Sequence, residues 1–499
     1  MDSKKAYQEL LSLERTVGLW TSVDAVLGWD ESTYLPEAAV GLRGEQKALL
    51  ASTVHDLVTN PRIGDLLTIV QDSPLATDEE VAANLREFRR AHDRATKLPP
   101  SLVHRIALAS TRGREAWIEA RRRSDYSLFQ PHLESLLKLR HEECSALGFC
   151  ENPYDAMLDH YEPGTRTQGI AGILDALKRE LVPLIDRVRG SSQKSSLEAL
   201  KAHYPVESQY EFGKATVVAL GFDLKRGRID TTTHPFCSGF GPMDVRITTR
   251  YDTTFFPSSF YSLLHEAGHG LYEQGLKEEK FGQPMGAACS TAIHESQSRM
   301  WENLVGRRHS FWQHFYPKAQ KVFSPLQSIS GDEFVRAMNH VELSPIRVEA
   351  DEMTYNLHII LRFELERAML DGDLHTRDLP GAWNEKCKQI FGFTPPSDAL
   401  GCLQDVHWSG GDFGYFPTYA LGNMYAAQFF EAAERELGNL DAQFSQGQFG
   451  QLREWLRRKI HCQGQRYIAS ELCQKVTGLE LSHEALIRHL TKKCDTFYG

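Results

Sequence analysis

Tyr261-Ser-Leu-Leu-His265-Glu266-Ala-Gly-His269-Gly270 brings its two histidines together only if it is helical. Residues four apart on a helix are neighbours at about 5–6 Å, whereas along a strand they would stand about 13 Å apart. On a helix, both imidazoles can face one tetrahedral metal ion, and Glu266, one step round, can reach a water activated there as a general base. The flanks agree with a helix. Pro257 and Ser258 give a start signal, Phe260, Leu263, Leu264 and Leu271 form an apolar stripe, and Gly275 can end it. With 20 histidines in 499 residues, the HExxH pattern is expected by chance only about 0.1 times, even if every acid counts as Glu.

A catalytic zinc site needs a third protein ligand from another segment. The metzincin spacing fails, because Gly270-Leu-Tyr-Glu-Gln-Gly275 contains no histidine. A later helix-forming stretch, Ile293-His294-Glu295-Ser-Gln-Ser-Arg299-Met-Trp301, offers Glu295, which antiparallel helix packing would bring to the metal. Its competing use is an i,i+4 ion pair with Arg299. Glu273, Glu278 and Glu279 stay open as alternatives; Glu273, on the first helix, would point away or orient a histidine from behind.

The length of 499 residues suggests two or three cores or one large fold. Periodic apolar positions (Leu10, Leu13, Val17, Leu19, Trp20) predict an amphipathic first helix, and Thr77 with Glu80 predicts a capping box for a helix ending at Lys97 before Pro99-Pro100. A helix restarts at Ser101. Its basic run Arg112 to Arg123, mixed with Glu115 and Glu119, reads as a solvated face. Gly190 to Ser196 reads as a polar loop, and the Gly- and aromatic-rich Gly401 to Gly422 as loops near a cleft. Between Ile229 and Arg250, threonines and period-two alternation predict a small β-sheet. There Asp244, Arg246 and Thr248 share a strand face, as expected if a peptide adds along the strand edge.

Composition narrows the function. With 41% hydrophobic and 24% charged residues the chain is not disordered, and its net charge of −10 argues against nucleic acid as partner. No apolar run is long enough to span a bilayer, and the N-terminus lacks a secretory signal. Nine cysteines with no CxxC pair read as reduced thiols in a cytoplasmic protein.

The motifs His234-Pro-Phe236, Asp244-x-Arg246-x-Thr248, His265-Glu-x-x-His269, His294-Glu-Ser-Gln, Ile346-Arg347-x-x-Ala-Asp351 and Gly401-x-x-Gln404-Asp-x-His407-Trp408 occur together in that order. In them the chain closely resembles the M32 family of metallocarboxypeptidases, the carboxypeptidase Taq type. The resemblance implies one divalent ion per chain, Zn2+ or Co2+, held by His265, His269 and Glu295, with Glu266 as general base. It implies removal of single residues from peptides with a free C-terminus, by a cytosolic homodimer. The implied fold is mainly α, a large helical zincin with a small β-sheet beside a deep substrate channel, similar to neurolysin and angiotensin-converting enzyme. Residues 1–499 would form a single metallopeptidase domain, 1–228 as one helical wall and 229–499 as metal site, sheet and second wall.

Developing charge on the tetrahedral oxygen needs a donor, for which His407 and a tyrosine of Gly414 to Tyr419, Tyr419 preferred, are candidates. Arg347, in its family motif, is the candidate for the terminal carboxylate, with an i,i+4 pair to Asp351 as its competing use. Arg246 and His234 complete the candidate substrate-binding set. Two other readings compete: an oligopeptidase cutting internal bonds, and a catalytically silent peptide-binding or dimer scaffold, against which Glu266 argues.

Overall fold

The computed structural model describes residues 2–193 and 195–499; Met1 and Lys194, the latter in the expected polar loop, lie outside the described residues. The first helices are α1 (Ser3–Thr33), α2 (Val40–Val58), α3 (Pro61–Gln71) and α4 (Glu79–Lys97). Then come α5 (Pro100–Arg123), α6 (Gln130–Leu147), α7 (Pro153–Leu158), α8 (Thr167–Gly190) and α9 (Val206–Leu220). The expected break at Pro99-Pro100 separates α4 from α5, with Pro100 in the first turn, where its missing N–H removes no helical bond. The cap of α4 differs from expectation. Asp78 Oδ1 accepts the amides of Glu80 and Val81 at 2.9 and 3.0 Å, while the Thr77 hydroxyl bonds back to the Pro74 carbonyl. A carboxylate nearer the orphaned amides is the stronger acceptor. On α5, Glu119 pairs with Arg122 and Arg123, so the basic run is indeed a solvated face.

The sheet lies where the alternation placed it. β1 (Gly227–Thr231), β2 (Cys237–Gly239) and β3 (Val245–Thr249) are ordered β1-β3-β2, parallel between β1 and β3 and antiparallel between β2 and β3. Arg246 therefore sits on the central strand, with both sides paired, and no peptide can add to it; the edge beside it is β2. Ladder bonds at Phe236–Thr248 and Phe240–Asp244 set the alternation, which turns the backbone groups of Cys237 and Gly239 away from β3.

Helices resume with α10 (Phe256–Gly275), α11 (Thr291–Arg299), a π-helical turn (Met300–Val305), α12 (His309–Val322), α13 (Gly331–Met338), α14 (Tyr355–Asp371) and α15 (Leu379–Phe391). The last are α16 (His407–Gly410), α17 (Pro417–Leu437), α18 (Leu440–Ser445), α19 (Gly450–Lys459), α20 (Ala469–Thr477) and α21 (Glu484–Tyr498). Part of the Gly401 to Gly422 stretch is thus helical, and Tyr419 lies in the first turn of α17 rather than in a loop. The mainly α architecture with one small sheet is as expected.

The chain gathers into two compact units. One comprises Met1–Ala95, Ser195–Asn339 and Tyr425–Leu481; the other comprises Thr96–Lys194, His340–Met424 and Ser482–Gly499. In the first, Ala6 and Leu10 of α1 join Ile63, Leu66, Leu67 and Val70 of α3 and Leu85 and Phe88 of α4 in one buried cluster. The expected amphipathic stripe of α1 holds only in part, because Leu19 and Trp20 are exposed. The 31 residues of α1 make a helix of about 46 Å, and the buried cluster with α3 and α4 engages it only from Ala6 to Leu13, short of Leu19 and Trp20. Under α10, by contrast, the predicted stripe of Phe260, Leu263, Leu264 and Leu271 is buried throughout. Phe260 meets Phe212 of α9 and Phe311 and Trp312 of α12 with ring centroids 5.1–6.3 Å apart, the separation favoured by aromatic pairs.

α10 and α11 touch backbone to backbone. A Cβ on Gly268 would lie 2.6 Å from both the Gln297 carbonyl oxygen and the Ser298 Cα, and neither can swing away. Gly268→Ala is expected to destabilise the protein by about 1–3 kcal/mol and to weaken metal binding, because the helices must separate. Gly172→Ala, at an exposed position of α8 where nothing lies within 4 Å of the new methyl, is the control. It should stabilise by about 0.5–1 kcal/mol through helix propensity. Denaturant melts and metal titration of both variants check this; equal behaviour would refute the close-contact argument.

Candidate metal centre

α10 presents His265 and His269 side by side, their ring centroids 4.9 Å apart. α11 brings Glu295 to both: its Oε2 lies 3.6 Å from His265 Nε2 and 3.4 Å from His269 Nε2. Ligands at about 2.1 Å from a tetrahedral ion stand about 3.4 Å apart, so these separations are those of two edges of a metal tetrahedron. The three ligand atoms lie within 4.8 Å of one another, the one such His/Cys/Asp/Glu group among the described residues. Two imidazoles and one carboxylate fit a divalent ion such as zinc or cobalt.

Each ligand is held from behind. Arg299 Nε donates to Glu295 Oε1 at 2.7 Å, so the ion pair that competed for Glu295 in the sequence coexists with its place in the cluster, one oxygen serving each. Burial opposes ionisation of Glu295, yet Arg299, His265 and His269 hold its carboxyl well below the usual carboxylate range. Burial, with His294 and His265 alongside, pushes His269 down to about 3, which leaves it neutral at pH 7. His265 moves the other way: burial lowers it, but Glu295 and the hydrogen bond to Glu302 more than offset this. That bond, His265 Nδ1 to Glu302 Oε2, is 2.9 Å long, and Glu302 lies in the π-helical turn beside Arg299. Sequence reasoning missed Glu302. The available signal was its spacing of seven from Glu295, two helical turns on one face. Glu266 is 7% exposed, and burial, reinforced by Glu295 and Glu302 against the pull of His265, raises its carboxyl to about 7.

Arg246, on the central strand β3, lies in a fixed cradle. Its Nε and Nη2 reach the two oxygens of Asp244 at 2.9 and 2.8 Å, and its guanidinium stacks on Trp29 at 4.4 Å and Phe240 at 4.9 Å. His234 is exposed in the bend between β1 and β2.

The second unit holds the other predicted residues. Arg347 is 5% exposed and does not pair with Asp351, whose carboxylate instead caps Met353 and Thr354. Its Nε reaches Asp405 Oδ1 at 2.9 Å and its Nη1 donates to the Tyr355 hydroxyl at 2.8 Å. Fully buried Arg362, unforeseen from sequence, takes the other Asp405 oxygen at 2.7 Å. Despite burial, the two guanidiniums hold Asp405 well below the usual carboxylate range. Asp405 pairs with both arginines, so the trio carries a buried positive surplus. The signal for Asp405 was in the Gly401-to-Trp408 motif, where only His407 was given a role. Burial pushes His407 down to about 4. Its ring lies 4.5 Å from Phe416, 5.3 Å from Tyr415 and 6.3 Å from Tyr419. The segment carrying these rings is anchored by buried Glu366, which accepts from Tyr154 Oη at 2.6 Å, Trp408 Nε1 at 2.7 Å and the Gly414 amide at 3.1 Å. Gly414 has φ +84° and its missing Cβ would meet the Met157–Leu158 backbone at 2.8–2.9 Å, so no other residue fits there.

The sequence profile of the family described as Carboxypeptidase Taq (M32) metallopeptidase matches residues 9–494. Thermostable carboxypeptidase 1 of Thermus thermophilus is 44% identical, with all of both chains aligned. The crystal structure of the M32 carboxypeptidase from Deinococcus radiodurans superposes with TM-score 0.96 at 37% identity, over 99% of this chain and 100% of that one. Metallocarboxypeptidase 1 of Trypanosoma cruzi superposes with TM-score 0.93 at 34% identity, over 98% of this chain and 99% of that one.

The raised Glu266 carboxyl predicts a pH effect in protein stripped of metal. Between about 4.5 and 7 the folded state binds more protons than the unfolded chain, so stability falls as pH rises through that window. Glu266→Gln removes the effect and should stabilise the stripped protein at pH 8 by on the order of 3 kcal/mol. Urea melts from pH 4 to 8 read this directly; parallel profiles for wild type and variant would refute it.

Proposed function

This chain belongs to the carboxypeptidase Taq (M32) family of metallopeptidases, and we propose that its His265–His269–Glu295 centre removes single residues from peptide C-termini. As a member it is a metal-dependent carboxypeptidase, a peptide hydrolase. The observation that carries the proposal is the tetrahedral spacing of the three ligand atoms beside a buried carboxyl, Glu266. His265, His269 and Glu295 would hold one ion per chain, Zn2+ or Co2+. When bound, such an ion polarises the scissile carbonyl and acidifies an attacking water.

The rest is done by the chain. Glu266 takes the proton of the attacking water and returns it to the leaving amine, a transfer suited to a carboxyl raised to about 7. His407, neutral at pH 7, and the Tyr419 hydroxyl donate to the tetrahedral oxygen. Arg347 receives the terminal carboxylate, which would offset the positive surplus that Arg347 and Arg362 leave over Asp405. The peptide backbone adds along the edge of β2 at Cys237 and Gly239, flanked by His234, with Arg246 holding the neighbouring strand. Residues 1–499 act as one peptidase domain, since each compact unit is assembled from three separated segments.

We place the enzyme in the cytoplasm as a homodimer. Nine free cysteines suit a reducing compartment, and among the described residues no helix is long and apolar enough to cross a membrane. Sedimentation at micromolar concentration reads the dimer.

An N-terminally blocked peptide and its C-terminally amidated twin test the exopeptidase reading. The free acid should be cut at least 100-fold faster (about 2.7 kcal/mol, within the range of a charge-assisted contact). Arg347→Lys, which loses the bidentate fork, should raise KM for the free acid and narrow that ratio. Glu266→Gln should keep its metal and lose about 10²–10⁴-fold in kcat. Equal cleavage of both peptides would instead indicate an oligopeptidase.

A further inference from the structure

The two histidine ligands are supported unequally. A ligating imidazole ordinarily donates its second N–H to a carboxylate, carbonyl or water, which fixes its tautomer and ring orientation. His265 has a carboxylate directly, Glu302. His269 has another imidazole: its Nδ1 lies 2.5 Å from His294 Nδ1. His294 Nε2 in turn lies 2.8 Å from Glu273 Oε1. We infer that Glu273 acts on His269 through His294, and that Glu273 and His294 are positioning residues for this metal ligand.

With His269 as a metal ligand, one proton arrangement fits the string. Its Nε2, beside Glu295, would give its lone pair to the ion, so its proton is on Nδ1 and is donated to His294 Nδ1. Since His294 accepts there, its own proton is on Nε2 and is donated to Glu273. Glu273 closes the string and polarises the His294 ring, through which it acts on His269. The path leaves α10 at His269, crosses to His294 on α11 next to the ligand Glu295, and returns to α10 at Glu273, one turn beyond His269. It therefore fixes the ring and ties together the two helices that supply the ligands. Tyr272 packs against the His294 ring with centroids 5.1 Å apart. Room for the Glu273 carboxylate comes from Gly239 on β2, whose Cβ would lie 2.4 Å from Glu273 Oε2.

The inference rests on the reading of His269 as a metal ligand, and a double-mutant cycle separates the two. Zn2+ affinity is measured on the full chain by competition with a chromophoric chelator. Glu273→Leu and His294→Phe should each weaken it, by about 10–100-fold. The double variant should be no weaker than His294→Phe alone, because Glu273 has no other route to the metal. Glu273→Gln keeps an acceptor of the same size and should lose less than Glu273→Leu. Its loss must likewise vanish in the His294→Phe background, which keeps the cycle readable if the leucine variant folds poorly. The Co2+ absorption spectrum should shift in both single variants and coincide in His294→Phe and the double variant, a signature that mere destabilisation would not produce. Additive losses, or unchanged affinity in the single variants, would overturn the proposal. A wild-type chain that binds no metal would overturn the metal reading itself.

Discussion

Everything at the centre depends on how closely two helices approach. Residue 268 lacks a side chain, so α10 rests directly on the backbone of α11 at Gln297 and Ser298. That contact sets the distance across which Glu295 reaches two imidazoles on the facing helix. A looser interface would leave the carboxylate short of the tetrahedral edge that the three ligand atoms now form. The aromatic nest beneath α10 serves the same end, because it fixes the helix from the side opposite the ligands.

Charge balance completes the arrangement. Glu266, Glu295 and Glu302 lie close enough to raise one another's cost of ionisation. The chain answers with Arg299, which bonds to Glu295 and Glu302. Two carboxylates are thereby held ionised and acceptor-only, while the third keeps an affinity for protons near neutrality. Within one neighbourhood two glutamates are thus kept ionised and a third is not, with Arg299 the largest cationic influence on the first two and His265 acting on both.

What could be read from the sequence were features with a short period. His265, Glu266 and His269 follow from one helical turn, the small sheet from alternation, and the helix break from Pro99-Pro100. Glu295 needed the family motif, because no local rule chooses one acid among several. What the sequence left open or misplaced turned on competition between partners, near or distant. Arg347 had a near partner in Asp351, yet it pairs with Asp405, 58 positions away, while Asp351 serves its own backbone. Arg246 was assigned to a strand edge, but strand order places it in the middle of the sheet. Asp78 displaced Thr77 as cap, since the offset of one residue depends on acceptor strength and not on pattern.

The π-helical turn from Met300 to Val305 gives the centre an unusual sensitivity. Such a turn is a helical turn carrying one residue beyond what the α ladder accommodates. Glu302 meets His265 from within it, at a place counted in whole residues from Glu295. Losing one residue ahead of Glu302 would let the helix relax to an ordinary ladder and shift Glu302 relative to Glu295 and His265. For a lineage carrying this chain, changes of identity around the centre can be gradual. A change of length in this one turn is abrupt, disturbing the carboxylate behind His265 in a single event.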